Sequence, residues 1–381
     1  MQKKIIVLAL AAAFSAPAFA DTANVNVYGA VNMSVESINN GDSLAGVKGS
    51  TMNKVSSNVT KLGLKGTQDL GDGVSAIWQI EQQIDADNSS AVAPTASSTG
   101  KATFATRNTF VGLSDKALGT VQLGKFDTPY KVSTRSLDAF GDSLADNRSL
   151  MGGVKDKSAA LAFDGRDADV VAYTSPEMGG LTLAVAYVVG AEANSRTTVN
   201  QGSATSFSAM YKAGDLSANA GYEVHSLGTN NSGLIASSTA GTDGQQETAM
   251  KLGVGYKMDA LYLSAIYEKT SDTFTGVTKY DHNVINVAAK YDLSSNNTVK
   301  LSYSSASEIN GVANTGATQT SVGFDHKLAK TTSVYALYTV LANGDAINYT
   351  LTDAGSTGGN FSATGNGSKV SAMALGVKHA F

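Results

Sequence analysis

The sequence predicts an all-β fold: a transmembrane antiparallel β-barrel of about sixteen strands, with short turns on one side and long loops on the other. Three observations predict it. Period-2 alternation of apolar and polar residues recurs nearly end to end. Short and long connections take turns along the chain, as they do in membrane barrels. Tyrosines recur one or two residues before the short turns.

The alternation begins at "NVNVYGAVNMSVES", where Val25 and Val27 oppose Asn24 and Asn26. In "KLGLKGT", Leu62 and Leu64 oppose Lys61, Gly63 and Lys65; in "GVSAIWQIEQ", Val74, Ala76, Trp78 and Ile80 oppose Ser75, Ile77, Gln79 and Glu81. "TVQLGK", "SFSAMYK", "AMKLGVGYK", "LYLSAIYEK", "VINVAAKYD", "TVKLSYSSA", "TSVGFDHK" and "SVYALYTV" repeat the pattern. Each run is near the ~10 residues a tilted membrane strand needs. An even strand number places both termini on the short-turn side, and pairing of first strand with last removes sheet edges that lipid cannot satisfy.

The tight turns are "QDLGDG", "DKALG", "SPEMGG", "KAGD", "KMDA", "DLSSNN" and "DHKLAKTT". The long polar segments between them are 38–55, 86–102, 127–165, 190–203, 226–245, 271–278, 308–317 and 342–368. Tyr173, Tyr211, Tyr256, Tyr291 and Phe324 fall beside the short turns, as an aromatic girdle at the membrane interface would. The apolar faces therefore meet lipid, and the Lys, Gln, Glu, Ser, Thr, Asn and Gly faces line a lumen wide enough for water.

The first twenty residues are a processing segment. Lys3 and Lys4 precede the apolar run "IIVLALAAAF", and Ala18-Phe19-Ala20 is an A-x-A-like cleavage site before Asp21. The expected organisation is a cleaved signal peptide over 1–20 and one barrel over 21–381. Losing Lys3 and Lys4 from 28 basic residues leaves 26 against 32 acidic, a net of −6, which argues against nucleic acid. There is no cysteine, and His225, His282, His326 and His379 stand singly, so no metal or cofactor is expected. Charged residues are only 16% of the chain, against about a quarter in soluble domains.

The segment 127–165 carries the candidate chemistry. It opens "FDTPYKVSTRSLDAFGDSLADNRSL", and Leu137, Phe140, Leu144 and Leu150 suit a packed loop rather than a floppy one. Asp138, Asp142 and Asp146 recur every four residues and would share a face on a helical stretch. Lys61, Lys65, Arg107 and Arg166 fall on inward strand positions. An acidic loop facing this basic wall would set a transverse field across the narrowest section and bias ion passage. Solvated surface charge is the competing interpretation of each residue taken singly.

These stretches resemble the general porins of Gram-negative bacteria, nearest the neisserial and betaproteobacterial branch. The similarity lies in "NVNVYGAVNMSVES", "SNVTKLGLKGTQDLGDGVSAIWQIEQQ", "TRNTFVGLSDKALGTVQLGKFDTPY", "VVAYTSPEMGGLTLAVAY" and the terminal "ALGVKHAF". The resemblance implies a sixteen-stranded barrel in the outer membrane, assembled as a homotrimer among lipid and lipopolysaccharide. It implies passive diffusion of ions and small hydrophilic solutes, with 127–165 folded inward as the constriction. Basic wall positions carry over to Lys61 and Arg107. Many members place an arginine where this chain has Ala172, so a strong preference for anions is not expected and only a weak lean remains. A terminal phenylalanine, here Phe381, resembles the signal read by the barrel-assembly machinery.

Three other classes compete with this one. A substrate-specific channel would line its path with aromatics, whereas the aromatics here phase mostly with the lipid face. A barrel enzyme needs a nucleophile, a base and an orienting group within reach. There is no G-x-S-x-G elbow, and Asp281 and His282 are strand neighbours that point to opposite faces. A surface adhesin would leave the alternating loop lengths unexplained.

Overall fold

In a computed structural model, residues 24–87, 106–153, 163–189, 202–228, 244–275, 280–352 and 363–381 are described. The expected signal peptide over 1–20 lies outside them, as do most of 86–102, 190–203 and 226–245 and parts of 127–165, 271–278 and 342–368. The first half comprises β1 (Asn24–Asn39), β2 (Thr51–Ser57), β3 (Lys61–Gly71), β4 (Val74–Gln83), β5 (Thr109–Asp115), β6 (Gly119–Asp127), a short helix α1 (Pro129–Arg135), β7 (Arg166–Thr174) and β8 (Leu181–Val188). The second half comprises β9 (Ser203–Ala213), β10 (Leu216–Ser226), β11 (Gln246–Met258), β12 (Leu261–Asp272), β13 (His282–Asp292), β14 (Asn297–Ala306), β15 (Ala317–Ala329), β16 (Thr332–Asn343) and β17 (Lys369–Ala380).

Every pairing is antiparallel, and the sheet closes on itself through β1 and β17, from Ala30 opposite Ala380 to Asn39 opposite Ser371. Strands β2 and β3 both pair with β1, over Met33–Asn39 and Asn24–Ala30 respectively, so they are two halves of one barrel strand. The break between them is local. Val59 takes a φ of 55°, and Thr60 Oγ1 accepts from Asn32 N at 3.1 Å, filling the gap in the ladder. The result is the sixteen-stranded barrel the alternation predicts.

Strand parity sorts the side chains as expected. On β17, Met373, Leu375 and Val377 are half exposed on the outside, while Ala372, Ala374 and Gly376 face inward and are buried. Tyr173, Tyr211, Tyr256, Tyr291 and Phe324 are all outward near the short turns. Tyr187, Phe207, Tyr222, Tyr303 and Tyr338 are outward nearer the long-loop end, forming a second aromatic belt. The short turns depend on left-handed backbone. In the β3–β4 turn, Asp72 at φ 51° and Gly73 at φ 84° reverse the chain in the space of two residues.

The chain terminus is part of the sheet. Phe381 N donates to Gly29 O at 3.1 Å, and Gly29 N donates to Phe381 O at 2.9 Å. The Phe381 ring lies against Gly29, where no side chain could fit beside it.

The face assignment has a direct test. Leu301 lies mid-strand on the outward face of β14. Replacing it with arginine is expected to lower the stability of the membrane-inserted barrel by about 2–4 kcal/mol, read by equilibrium denaturant unfolding in vesicles.

Candidate functional site

The segment after β6 turns into the lumen, as its apolar composition predicts. Thr128 caps α1 by accepting from Lys131 N at 3.3 Å, and Pro129 supplies a preset φ at the first helical position. The helix packs against β9, β10 and β11. Its approach is allowed by Gly221, where a Cβ would come within 2.6 Å of Ser133 Oγ. Tyr130 is fully buried; its hydroxyl donates to Glu268 at 2.7 Å, and its N–H donates to Ser206 at 2.9 Å. Beyond the helix, Ser264 donates to Leu137 O at 2.7 Å. The Phe140 ring then sits over Gly323, where a Cβ would meet it at 2.7 Å. Leu137, Phe140, Leu144 and Leu150 are all buried.

The return arm is held as firmly. Gly152 N donates to Glu268 at 2.8 Å, and Thr352 N donates to Ser149 Oγ at 2.9 Å. Phe163 stacks on His225 with ring centroids 4.4 Å apart, and His225 lies between Glu223 (2.9 Å) and Glu247 (2.8 Å). Asp164 pairs with Lys251 at 2.5 Å. Burial would push the Asp164 carboxyl up, but the Lys251 ammonium outweighs it and holds the group below its usual range.

The three loop aspartates do not form a helix face. The helix ends at Arg135, and the chain beyond it turns so that Asp138, Asp142 and Asp146 converge on that one guanidinium. Asp146 is fully buried, 3.0 Å from Arg135 and 2.8 Å from Arg148, and it also accepts from Asp142 N and Arg148 N. Asp138 accepts from Phe140 N at 2.8 Å and Asn147 N at 3.1 Å, with Arg135 at 3.7 Å. Asp142 alone is half exposed, with a φ of 61°. The physical reason is cost. A buried carboxylate needs a counter-charge, and the segment carries its own in Arg135 and Arg148. Asp138 and Asp146 therefore fix the loop's turn, and Asp142 alone of the three keeps an exposed carboxylate.

On that wall, Lys61 and Arg107 do come together. Both reach Glu81 of β4, Lys61 at 3.2 Å and Arg107 at 2.5 Å, and Tyr28 donates to the same carboxylate at 3.0 Å. Lys65 lies over the Tyr28 ring, 5.2 Å from its centre. Arg166 is elsewhere. It binds Asp127 at 2.9 Å and Asn108 at 2.6 Å, where the inward segment leaves and rejoins the barrel, so it ties the base of the loop. Sequence reading placed Glu81 on the inward face but assigned it no role. It also assigned aromatics mostly to lipid, whereas Tyr28, Tyr262 and Tyr335 face the lumen; Tyr335 donates to Asn32 at 3.0 Å. Among the described residues no grouping of His, Cys, Asp and Glu is arranged to hold a metal ion.

A closed membrane barrel whose lumen is narrowed by a docked inward segment defines a class of outer-membrane channel-forming proteins. Residues 7–346 match the Gram-negative porin family, and the chain belongs to it. Outer membrane porin protein 32 of Delftia acidovorans is 27% identical over 387 residues, with both chains covered in full. Major outer membrane protein P.IA of Neisseria meningitidis serogroup A is 30% identical over 233 residues, covering 54% of this chain and 52% of that protein. The chain thus spans about half the length of the neisserial relative and all of the Delftia one. The solved structure of the anion-selective porin from Comamonas acidovorans has the same fold, with a TM-score of 0.72 at 23% identity over 94% of this chain and 100% of that one.

The charge pairing generates a testable contrast. Asp146→Asn removes the one fully buried carboxylate from two half-buried guanidiniums, leaving them the half-exposed Asp142 and, for Arg135, Asp138 at 3.7 Å, and is expected to lower stability by about 3 kcal/mol. Asp138 differs, because burial and then the neighbouring Asp146 raise its carboxyl from 3.8 to about 6, against the pull of Arg135. A group raised in the fold disfavours the folded state when ionised. The wild type should therefore gain stability as pH falls from above 6 toward 4, and Asp138→Asn should lose that gain. Asp146 has the opposite sign. Burial is outweighed by Arg135 and Arg148, its carboxyl is held well below 3.8, and its stabilising contribution fades only as pH falls below 3.8. Urea midpoints of the folded barrel between pH 7.5 and 4 check the Asp138 sign, and extending them to about pH 2 checks the Asp146 sign.

Proposed function

We propose that this chain is a general diffusion porin. It forms a water-filled outer-membrane pore that passes ions and small hydrophilic solutes, with a charged constriction and a weak lean toward anions. The observation that carries this reading is the inward segment docked across a polar lumen, opposite Lys61 and Arg107. Two cations there share the Glu81 carboxylate, whereas Asp138 and Asp146 are paired to Arg135 and Arg148 within the loop. The uncompensated charge on the wall is therefore positive. Lys65 adds to it, and Ala172 removes a base the family often supplies. The solved relative described as anion-selective points the same way. No catalytic role and no cofactor belong to this reading.

A homotrimer fits the outer surface. Outward positions on β1–β6 carry Val25, Val27, Val31, Val35, Val111 and Leu113, while the tyrosine belts lie on β7–β16. Apart from Trp78 of β4, the described outward positions of this face are aliphatic, which suits a neighbouring subunit rather than a lipid boundary. Export by the cleaved segment 1–20, contact with lipopolysaccharide, and handling by the barrel-assembly machinery complete the proposal. The substrate-specific channel is the runner-up, favoured by Tyr28, Tyr262 and Tyr335. These rings stand on β1, β12 and β16 and form no continuous track.

Two measurements test the reading. Purified protein should give stable ohmic conductance in planar bilayers, and Lys61→Glu with Arg107→Glu should move the reversal potential toward cations. An unmoved reversal potential would remove those two residues from the selectivity wall. Deleting Phe381 should reduce the heat-modifiable folded fraction several-fold in cells while leaving the conductance of inserted molecules near wild type. Full assembly without Phe381 would refute its role as a signal.

A further inference from the structure

We propose that the periplasmic half of the lumen holds a binding step for small divalent oxyanions, formed by Lys290 and Lys300 beneath the tip of the inward loop. It rests on the diffusion-pore reading and adds a site to it.

Strand parity turns Lys290 of β13 and Lys300 of β14 inward, and their register sets them directly opposite each other. Opposed residues on neighbouring strands have Cβ atoms about 5 Å apart, and like charges there destabilise the sheet. One counter-charge is supplied, by Asp325 at 2.9 Å from Lys300. Lys290 has no carboxylate within 4.0 Å among the described residues. Its ammonium instead lies over the Tyr262 ring, 5.5 Å from the centre, and Lys300 lies over Phe140 at 4.9 Å. Aromatic faces hold cations in place without neutralising them. Asp325, on the far side of β14, pairs with Lys300 alone, and Asp138 and Asp292 act on Lys290 only from beyond ion-pair distance, so the Lys290 ammonium is the one left to an incoming anion.

That spacing suits one ligand with two or more anionic oxygens, such as hydrogen phosphate or a short dicarboxylate, which can accept from both lysines at once. Phe140 links the site to the constriction, since Gly323 beneath its ring is register-paired with Lys300. Nearer the short-turn rim, Lys327 and Lys378 are register-paired with Ser333 from either side. Both are exposed, and neither makes an ion pair among the described residues. They extend the positive strip to the mouth and would steer anions toward Lys290.

The test uses the full chain in planar bilayers carrying chloride current, with phosphate or succinate added at a pH where each is divalent. Saturable depression of the chloride current by either anion, and none by formate, is expected. Lys290→Gln should raise the half-depressing concentration by about two- to fivefold, the range of one wet ion pair. Lys290→Arg should retain the effect. Current that rises in proportion to added phosphate or succinate without depressing chloride flow overturns the site, as does equal depression in wild type and Lys290→Gln. Heat-modifiable mobility confirms that each variant is folded. If the protein carried no chloride current, the pore reading would fall by itself. Equilibrium dialysis of phosphate against the detergent-solubilised barrel would still read the site. Saturable binding lost in Lys290→Gln/Lys300→Gln supports it, and absence of saturable binding overturns it.

Discussion

The structure depends on one constraint: in hydrocarbon, no backbone N–H or C=O can be left without a partner. The seam between β1 and β17 meets it for the first and last strands, and the terminal Phe381 pair with Gly29 carries the ladder to the last residue. Once the ring is closed, strand count, tilt and stagger are linked, and each side chain's direction follows from parity. The split of one strand into β2 and β3 shows how strict the requirement is. Where the ladder breaks at Val59, the Thr60 hydroxyl takes over the bond to Asn32.

Closure creates a second problem, because sixteen strands enclose more space than their inward side chains fill. The segment after β6 fills part of it. Its attachment combines shape with charge. Small residues at Gly221 and Gly323 admit the backbone and the Phe140 ring, and Glu268 binds both Tyr130 on the outgoing arm and Gly152 on the return. Arg135 and Arg148 from the same segment offset the buried Asp138 and Asp146, so the loop docks with only the half-exposed Asp142 left in excess. Sign at the constriction is then set from the facing wall.

The fold was legible because its determinant is local. A period of two survives noise, and loop-length asymmetry needs only the positions of glycine, asparagine and aspartate clusters. The inward loop was legible for the same reason, since Leu137, Phe140, Leu144 and Leu150 cluster within one polar segment. Its charge partners were not. The i, i+4 spacing of Asp138, Asp142 and Asp146 speaks only if a helix continues through them, and it stops at Arg135. Lys61 and Arg107 were readable as inward by parity. Glu81 as their shared partner, and Arg166 as a tie at the loop base, depend on register and on loop geometry. Tyr28, Tyr262 and Tyr335 were not singled out because tyrosine suits either face of a strand: lipid interface on one side, hydrogen bonds and cation contact on the other.

Net charge misleads for the same geometric reason. The chain beyond Ala20 carries −6, yet the inner wall from Arg107 and Lys61 round to Lys378, Lys327, Lys300 and Lys290 is predominantly basic. A permeating ion feels charges within about a Debye length, ~8–10 Å at physiological salt. Low-dielectric walls strengthen those nearest the pore. Carboxylates on the exterior, such as Asp42 beside Lys48 in the first long loop, are screened before they reach the lumen. What decides the sign of the pore is which charges parity turns inward and which of those find a partner. Lys290, with Tyr262 in place of a carboxylate, is where that balance leaves a cation open to the pore.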